Sequence, residues 1–439
     1  LRNLQYIFYK KAFIFYLLCL LFIALSCKKQ NEQQDTQVQI ILPKENSFYV
    51  LPDTIHAEIV AFTDKQPEYV RVCVCNSQQT PVFAPVYFYP ETLQSNLIFD
   101  YFLENKDITN EGQLYFQVTV ATETVTNSFI KIQIESQPLQ YKGFYLFTRP
   151  TVNETKMVFV AADFSVQEIA NVGGNYEASA ISVAHGMVYF LAKAPDKLYA
   201  NQYGEEPFSW INEPGADIPE FTSLYADGNK VYSGYGNGII AGFADVSGQQ
   251  IYTTHTMTDS VPENLIVTDQ YVVGDFRVKN KPSRSLSVFY KSTGARLQRA
   301  VNYTEVVDFY KESEDAELLI FGNEGGKSVA RHYFFEENYF SSPLVVSEEA
   351  MAASCRAGEQ VFILAINNKV FSINLKTLIQ KELVVLNDKI VSVKFDEMEQ
   401  NVFVATANSV YIYAYPSMQM LDKFYSSESI KGFELRYAY

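Results

Sequence analysis

An apolar or aromatic pair recurs through the last two thirds of this 439-residue chain, at Phe144-Tyr145, Val188-Tyr189, Val231-Tyr232, Val272-Val273, Leu319-Ile320, Val361-Phe362 and Val402-Phe403. Successive pairs lie 44, 43, 41, 47, 42 and 41 residues apart. The repeating unit is clearest in residues 358–385. There Val361–Ala365 reads as an apolar strand, Asn367-Asn368-Lys369 as a tight turn, Val370–Leu375 as its return strand and Leu378–Val385 as a third strand. Asn-Asn suits the φ > 0 conformations that a tight hairpin demands.

A short strand is expected before each pair, at Ser179–Ala184, Thr222–Ala226, Asn264–Thr268, Glu305–Tyr310, Ala352–Cys355 and Ile390–Phe395. The first pair has none of its own, because its repeat begins abruptly at Tyr141-Lys142-Gly143. The missing strand is expected at the far end, Ile430–Tyr437, where the tail would pair with the first repeat. Such a pairing removes the strand edges that an open array leaves with unpaired N–H and C=O groups. A period of about 40–45 residues, four strands to the unit, is the signature of a propeller blade. The expected fold is therefore all-β, with a seven-bladed β-propeller over 140–439 closed by the C-terminal strand. In period and strand pattern the region resembles propellers of the tryptophan-aspartate-repeat and quinoprotein-like superfamilies. The Gly-His…Trp-Asp signature is absent.

Residues 38–136 read as a separate antiparallel β-sandwich. Runs rich in β-formers appear at Val38–Leu42, Thr54–Phe62, Tyr69–Cys75, Leu97–Tyr101, Gln113–Ala121 and Phe129–Glu135, punctuated by Pro43, Pro52, Pro67, Pro81, Pro85, Pro90 and Gly112. Short strands separated by Pro and Gly turns are the pattern of such a fold. The segment resembles bacterial immunoglobulin-like or fibronectin-like spacer modules, with Gly112-Gln113-Leu114-Tyr115 as the turn-plus-Tyr entry to a late strand.

The N-terminus carries an address. Lys10-Lys11 precede an unbroken apolar run of 14 residues, Ala12–Leu25, followed by Ser26-Cys27. That run is short for a bilayer span and right for a signal-peptide core. Ala24-Leu25-Ser26-Cys27 resembles a bacterial lipoprotein box, which implies a signal peptide over 1–26 and a lipid on Cys27. Residues 28–37 are polar and read as a flexible tether. Lys28 directly after the Cys implies, by the same resemblance, the outer membrane of a Gram-negative cell, facing the periplasm or the outside. The net charge is −15, and the proposed signal carries Arg2, Lys10 and Lys11 with no acid, so its removal leaves −18. A chain this acidic is poorly matched to nucleic acid, whose phosphates call for Lys and Arg.

The chemistry-bearing residues form no catalytic constellation. Cys73 and Cys75, two apart on a strand, point to the same face. They read as small buried hydrophobes, with an i,i+2 disulfide or redox pair as the other reading. Among His56, His185, His255 and His332 no two have metal-ligand spacing, and no metal or cofactor is expected. Asp227, Asp269, Asp315 and Asp396 fall where turns are expected, and turn chemistry accounts for them. Contact residues are expected on loops, at Trp210 in 207–219 and at Arg277, Lys279 and Arg284 in the basic connection 277–285. For Trp210, packing against its own sheet is the reading weighed above contact. Together these features point to a membrane-anchored, non-enzymatic binding or scaffolding module for an envelope protein or glycan. A propeller hydrolase or lyase acting on extracellular polysaccharide is the alternative, and it would need two carboxylates converging across the channel.

Overall fold

The computed structural model describes residues 36–104, 108, 111–183, 186–203, 208–215, 220–313 and 316–438. Cys19, Cys27, His185 and Asp315, together with the signal and most of the tether, lie outside the described residues. The described residues form strands and turns with no helix. The chain divides into two compact units, with the boundary between Gln137 and Pro138.

In the first unit, Gln37–Leu42, Asp53–Phe62 and Gln94–Leu103 form a three-stranded sheet. A five-stranded sheet runs in the order Ser47–Val50, Val125–Glu135, Leu114–Ala121, Tyr69–Asn76, Val86–Phe88. Ile55 and Ile59 from the one sheet and Val72, Phe116, Val118 and Ile132 from the other share one apolar core. The sequence pattern misses the short strands Ser47–Val50 and Val86–Phe88. Four and three residues are too few to show a period. The first of them also pairs parallel to Val125–Glu135, a departure from the purely antiparallel expectation. Cys73 and Cys75 are free and buried on Tyr69–Asn76, and the Cys73 thiol donates to Gln117 Oε1 at 3.3 Å.

The second unit is a succession of up-and-down sheets, most of four strands, which fits a propeller. They cover 175–212, 221–253, 260–302, 305–347, 351–385 and 390–425, and the 305–347 sheet carries one additional strand, Leu344–Ser347. The remaining sheet has the order Val166–Gly173, Glu154–Ala161, Gln140–Arg149, Ser429–Ala438. The chain's last strand thus pairs antiparallel with Gln140–Arg149, Leu435 opposite Phe144 and Phe433 opposite Leu146.

The recurrent pair marks the second strand of each sheet because that strand is covered on both faces. Met187–Lys193 and Val361–Ile366 are buried almost throughout. A strand between two neighbours reads as a continuous apolar run rather than an alternation. Outer strands such as Ile379–Val385 are mostly exposed and carry little signal.

Apolar clusters fill the gaps between successive sheets. Phe147 and Met157 meet Val188 and Phe190; Leu191 and Leu198 meet Phe221 and Val231; Tyr232 and Ile240 meet Val267 and Phe276. Val273 and Leu286 meet Leu318 and Ile320; Leu319 and Phe321 meet Phe362 and Leu364; Ile363 and Val370 meet Val393 and Val402. The last cluster returns to the start, with Phe403, Ala405 and Ile412 against Phe144, Leu146 and Phe433.

Two backbone positions depend on special residues. Asn367 turns its hairpin at φ 56°, a conformation Asn tolerates better than most side chains. Gly432, on the last strand, lies so close to the next sheet that an added Cβ would stand 2.2 Å from the Tyr176 hydroxyl.

Phe144 should therefore be among the most sensitive core positions. It is fully buried, with ring centroids 6.1, 5.9 and 6.4 Å from Phe403, Phe424 and Phe433. Phe144→Ala is expected to lower unfolding free energy by about 3–5 kcal/mol, read by urea denaturation of the second unit. A loss below about 1 kcal/mol would mean that this cluster does not carry the junction.

Candidate functional site

The first strand of each sheet differs in character from the second. Asn175–Ser182, Glu305–Ser313, Ile390–Asp396 and Ser429–Ala438 interleave charged and apolar residues. Each first strand also shifts register at a matching place near its start: at 176/178, 221/223, 262/264, 306/308, 351/353, 390/392 and 430/432. Such a bulge bends the strand and re-aims the side chains that follow. Residues from six of these first strands, all but Met351–Gly358, line a cavity of about 450 Å³. Glu177, Glu263, Asp308, Lys394 and Glu434 supply its charged groups.

Polar side chains near the bulges also tie one sheet to the next. Ser182 Oγ donates to the Gly228 carbonyl at 2.6 Å, Thr222 Oγ1 to the Pro262 carbonyl at 2.5 Å, and Asn264 Nδ2 to the Val306 carbonyl at 2.8 Å. Asp308 Oδ2 accepts from both the Ser354 amide and its hydroxyl, each at 2.8 Å. Lys394 Nζ lies 3.0 Å from Glu434 Oε2, while Glu434 Oε1 accepts from Ser179 Oγ at 2.9 Å. Each bond spans two sheets, so the polar groups of the wall have structural work as well as access to the cavity.

Electrostatics separate Asp308 from the other carboxylates. Glu177 pairs with Lys193 at 2.7 Å. Glu263 meets Arg277 Nε at 2.5 Å and Arg284 at 2.7 Å. Burial would raise Glu263, but the two guanidiniums outweigh it and hold the carboxyl below its usual range. Burial would likewise lower Lys394, and Glu434 more than restores it. Among the described residues no Lys or Arg forms an ion pair with Asp308. Burial pushes its carboxyl up to about 6, opposed by the two bonds from Ser354 and by the more distant Lys394 charge.

The expected contact residues fall in different places. Trp210 lies on a strand, Trp210–Asn212, rather than in a loop, and that strand pairs with Leu198–Ala200. Its indole packs between two sheets, 5.8 Å from the Tyr189 ring and 6.4 Å from Phe243, and its Nε1 donates to the Asp245 carbonyl at 2.6 Å. The connection expected at 277–285 is shorter, because strands run through Val278 and resume at Arg284. Arg284 is buried, donating through Nε and Nη2 to Asp275 at 2.9 and 2.6 Å. Asp275 is itself fully buried, which raises its carboxyl to about 6 against the pull of Arg284. Arg277 and Arg284 do come together, at Glu263. Lys279 is exposed and donates to the Thr258 carbonyl at 3.1 Å, while Trp210 sits between another pair of sheets. The expected turn aspartates divide as well. Asp227 pairs with Lys291 at 2.7 Å, and buried Asp396 accepts from Tyr437 OH at 3.0 Å.

Asp308, Lys394, Glu434 and Ser354 escaped the sequence reading. Their signal is a charged or hydroxyl residue inside a short first strand, as in EVVDFY and IVSVKF, where an apolar residue would otherwise continue the pattern.

No family model and no curated protein matches this chain. Among solved structures it is similar to the computationally designed Ika8 protein, at 16% identity over 66% of this chain and 89% of that one, with a TM-score of 0.46. It is also similar to a chain of the Mitotic Checkpoint Complex, at 12% identity over 58% and 79%, TM-score 0.47. A third similarity is to Kuenenia stuttgartiensis hydrazine synthase, at 11% identity over 66% and 97%, TM-score 0.48. The function of this chain is argued from its own residues.

Asp308 gives a pH test. A raised carboxyl pKa means that the folded state holds the proton more tightly than the unfolded chain, so this group's stabilisation is present at low pH and is lost as pH rises from about 4 to about 6. Asp308→Asn keeps an acceptor for Ser354 and removes the half-buried charge. The variant is expected to gain about 1–2 kcal/mol at pH 7.5 and little at pH 4.5, read by thermal unfolding at both values. A loss of stability at pH 7.5 would contradict the assignment.

Proposed function

We propose that the chain is an outer-membrane lipoprotein, anchored through Cys27, whose second unit is a non-enzymatic binding or scaffolding module. In this reading 38–136 is an immunoglobulin-like or fibronectin-like sandwich acting as spacer, and 140–439 is a closed seven-bladed propeller. The cyclic run of apolar clusters and the pairing of Ser429–Ala438 with Gln140–Arg149 support the ring. The two sheets that share one core support the sandwich. The address rests on Lys10-Lys11, the apolar run and Cys27.

The observation that carries the binding reading is the state of the cavity carboxylates. Glu434 has both oxygens engaged, by Ser179 and Lys394, and Glu263 has both engaged by arginines. A two-carboxylate glycosidase needs one group to protonate the leaving oxygen and another to attack or activate water. Groups already held in such bonds, within one sheet for Glu263 and between sheets for Glu434, are poorly placed for either task. Asp308, with its raised carboxyl, is the observation that keeps polysaccharide cleavage as the second reading. The partner in the first reading is an envelope protein or glycan.

Two experiments test this. Cys27→Ala is expected to move the protein from the membrane fraction to the soluble fraction after cell disruption; continued membrane association would overturn the lipid anchor. Wild-type protein incubated with purified envelope polysaccharides and envelope extracts is expected to retain a partner and release no oligosaccharide. Oligosaccharide release that Asp308→Asn abolishes would replace the binding reading with the enzymatic one.

A further inference from the structure

We infer that the cavity between the first strands holds a small organic cation, a hydroxylated or polyamine molecule whose protonated primary amine sits against Asp308. The inference rests on the binding reading above and names the class of ligand for that same site.

The argument starts from size and proceeds by charge. About 450 Å³ lies within the range of pockets that enclose a small ligand. The wall is mostly polar, and its fixed charges cancel in sets. Glu177 is matched by Lys193, Glu434 by Lys394, and Glu263 together with buried Asp275 by Arg277 and Arg284. Asp308 is the one lining carboxylate without an ion pair among the described residues. The Ser354 amide and hydroxyl both donate to one of its oxygens, Oδ2. A carboxylate in a confined wall strongly prefers a cation that arrives with its own hydrogen-bond donors. An ammonium group meets both needs.

The neighbours favour the same chemistry. Tyr225 and Phe309 are also among the lining residues, but their rings pack against the apolar cluster of Val273, Leu286 and Leu318, which leaves recognition to the polar groups. An anionic ligand would need a free cation in the wall, and Lys394 is held by Glu434.

The site should also respond to pH. The titratable groups that act on Asp308 are Tyr310 on its own strand, Cys355 on the strand that carries Ser354, and Lys394 and Glu434; Glu263 and Glu177 line the same cavity. Burial holds Tyr310 and Cys355 neutral through the working range. Glu263 is held below its usual range and Lys394 above it, whereas Asp308 is shifted up toward neutral pH. It is ionised above about 6 and neutral below.

The test is isothermal titration of the intact protein with spermidine and glucosamine, using glucose as the uncharged counterpart. At pH 7.0 a saturable one-to-one isotherm is expected with at least one amine, with glucose roughly tenfold weaker or more. Lowering the pH to 5.0 should weaken the amine by a similar factor. Asp308→Asn, checked by thermal unfolding, should do the same at pH 7.0. The comparisons of amine with glucose and of the two pH values need no variant, so a misfolded substitution cannot mask the result. Equal binding of glucose and glucosamine, or binding that neither pH nor Asp308→Asn alters, overturns the ammonium assignment and leaves the binding module standing. Absence of binding by all three also overturns the assignment. The module reading itself falls only if, in addition, no envelope partner is retained.

Discussion

Ten residues at the end of the chain, Ser429–Ala438, supply a strand that the sheet begun at Gln140 has no other way to obtain. Without it, Gln140–Arg149 would present a row of unpaired backbone groups along one edge. The same strand delivers Phe433 and Leu435 to the apolar cluster between the 390–425 sheet and the first one. It also places Glu434 where Ser179 and Lys394 can reach it. One pairing therefore settles backbone hydrogen bonds, apolar burial and part of the cavity wall. Its partners are almost three hundred residues apart in sequence, so the loop closure it requires is among the most demanding in the chain.

The cavity is a consequence of that arrangement. First strands that surround a cavity need polar side chains, and polar groups taken out of bulk water need partners. This chain meets the requirement by bonding sheet to sheet: serine, threonine and asparagine donate to carbonyls of the neighbouring strand, and Lys394 and Glu434 pair across two sheets. The repeated bulge is what aims these groups alike. Asp308 stands apart because its bonds are to an amide and a hydroxyl, with no ion pair of its own among the described residues. The inferred ligand class and the pH response both grow from that one feature.

How much of this is legible from the chain alone depends on burial. Second strands, covered on both faces, print unbroken apolar runs such as VFILA, and these disclosed the repeat. Exposed outer strands such as Gln419–Tyr425 print almost nothing. The strand pairing of tail and head was readable because the first repeat lacks a strand and the tail has one to spare. The contact residues were not. Arg284 looks like a basic loop residue by composition, but a buried aspartate nine positions earlier draws it into a strand and an ion pair. Trp210 looks exposed among Pro and Gly, yet its indole finds a carbonyl and two aromatic rings between sheets. The lining groups went unseen because a single Asp or Lys inside a short strand is indistinguishable in sequence from an outward-facing residue.

Hydrogen exchange at the amides of Ser429–Ala438 is the most direct measurement of the central pairing. If the last strand is an integral part of the sheet begun at Gln140, its paired amides should exchange only through the same opening that exposes Gln140–Arg149, with matching protection and matching dependence on denaturant. Exchange of the terminal strand at near-unprotected rates, while Gln140–Arg149 stays protected, would contradict the account.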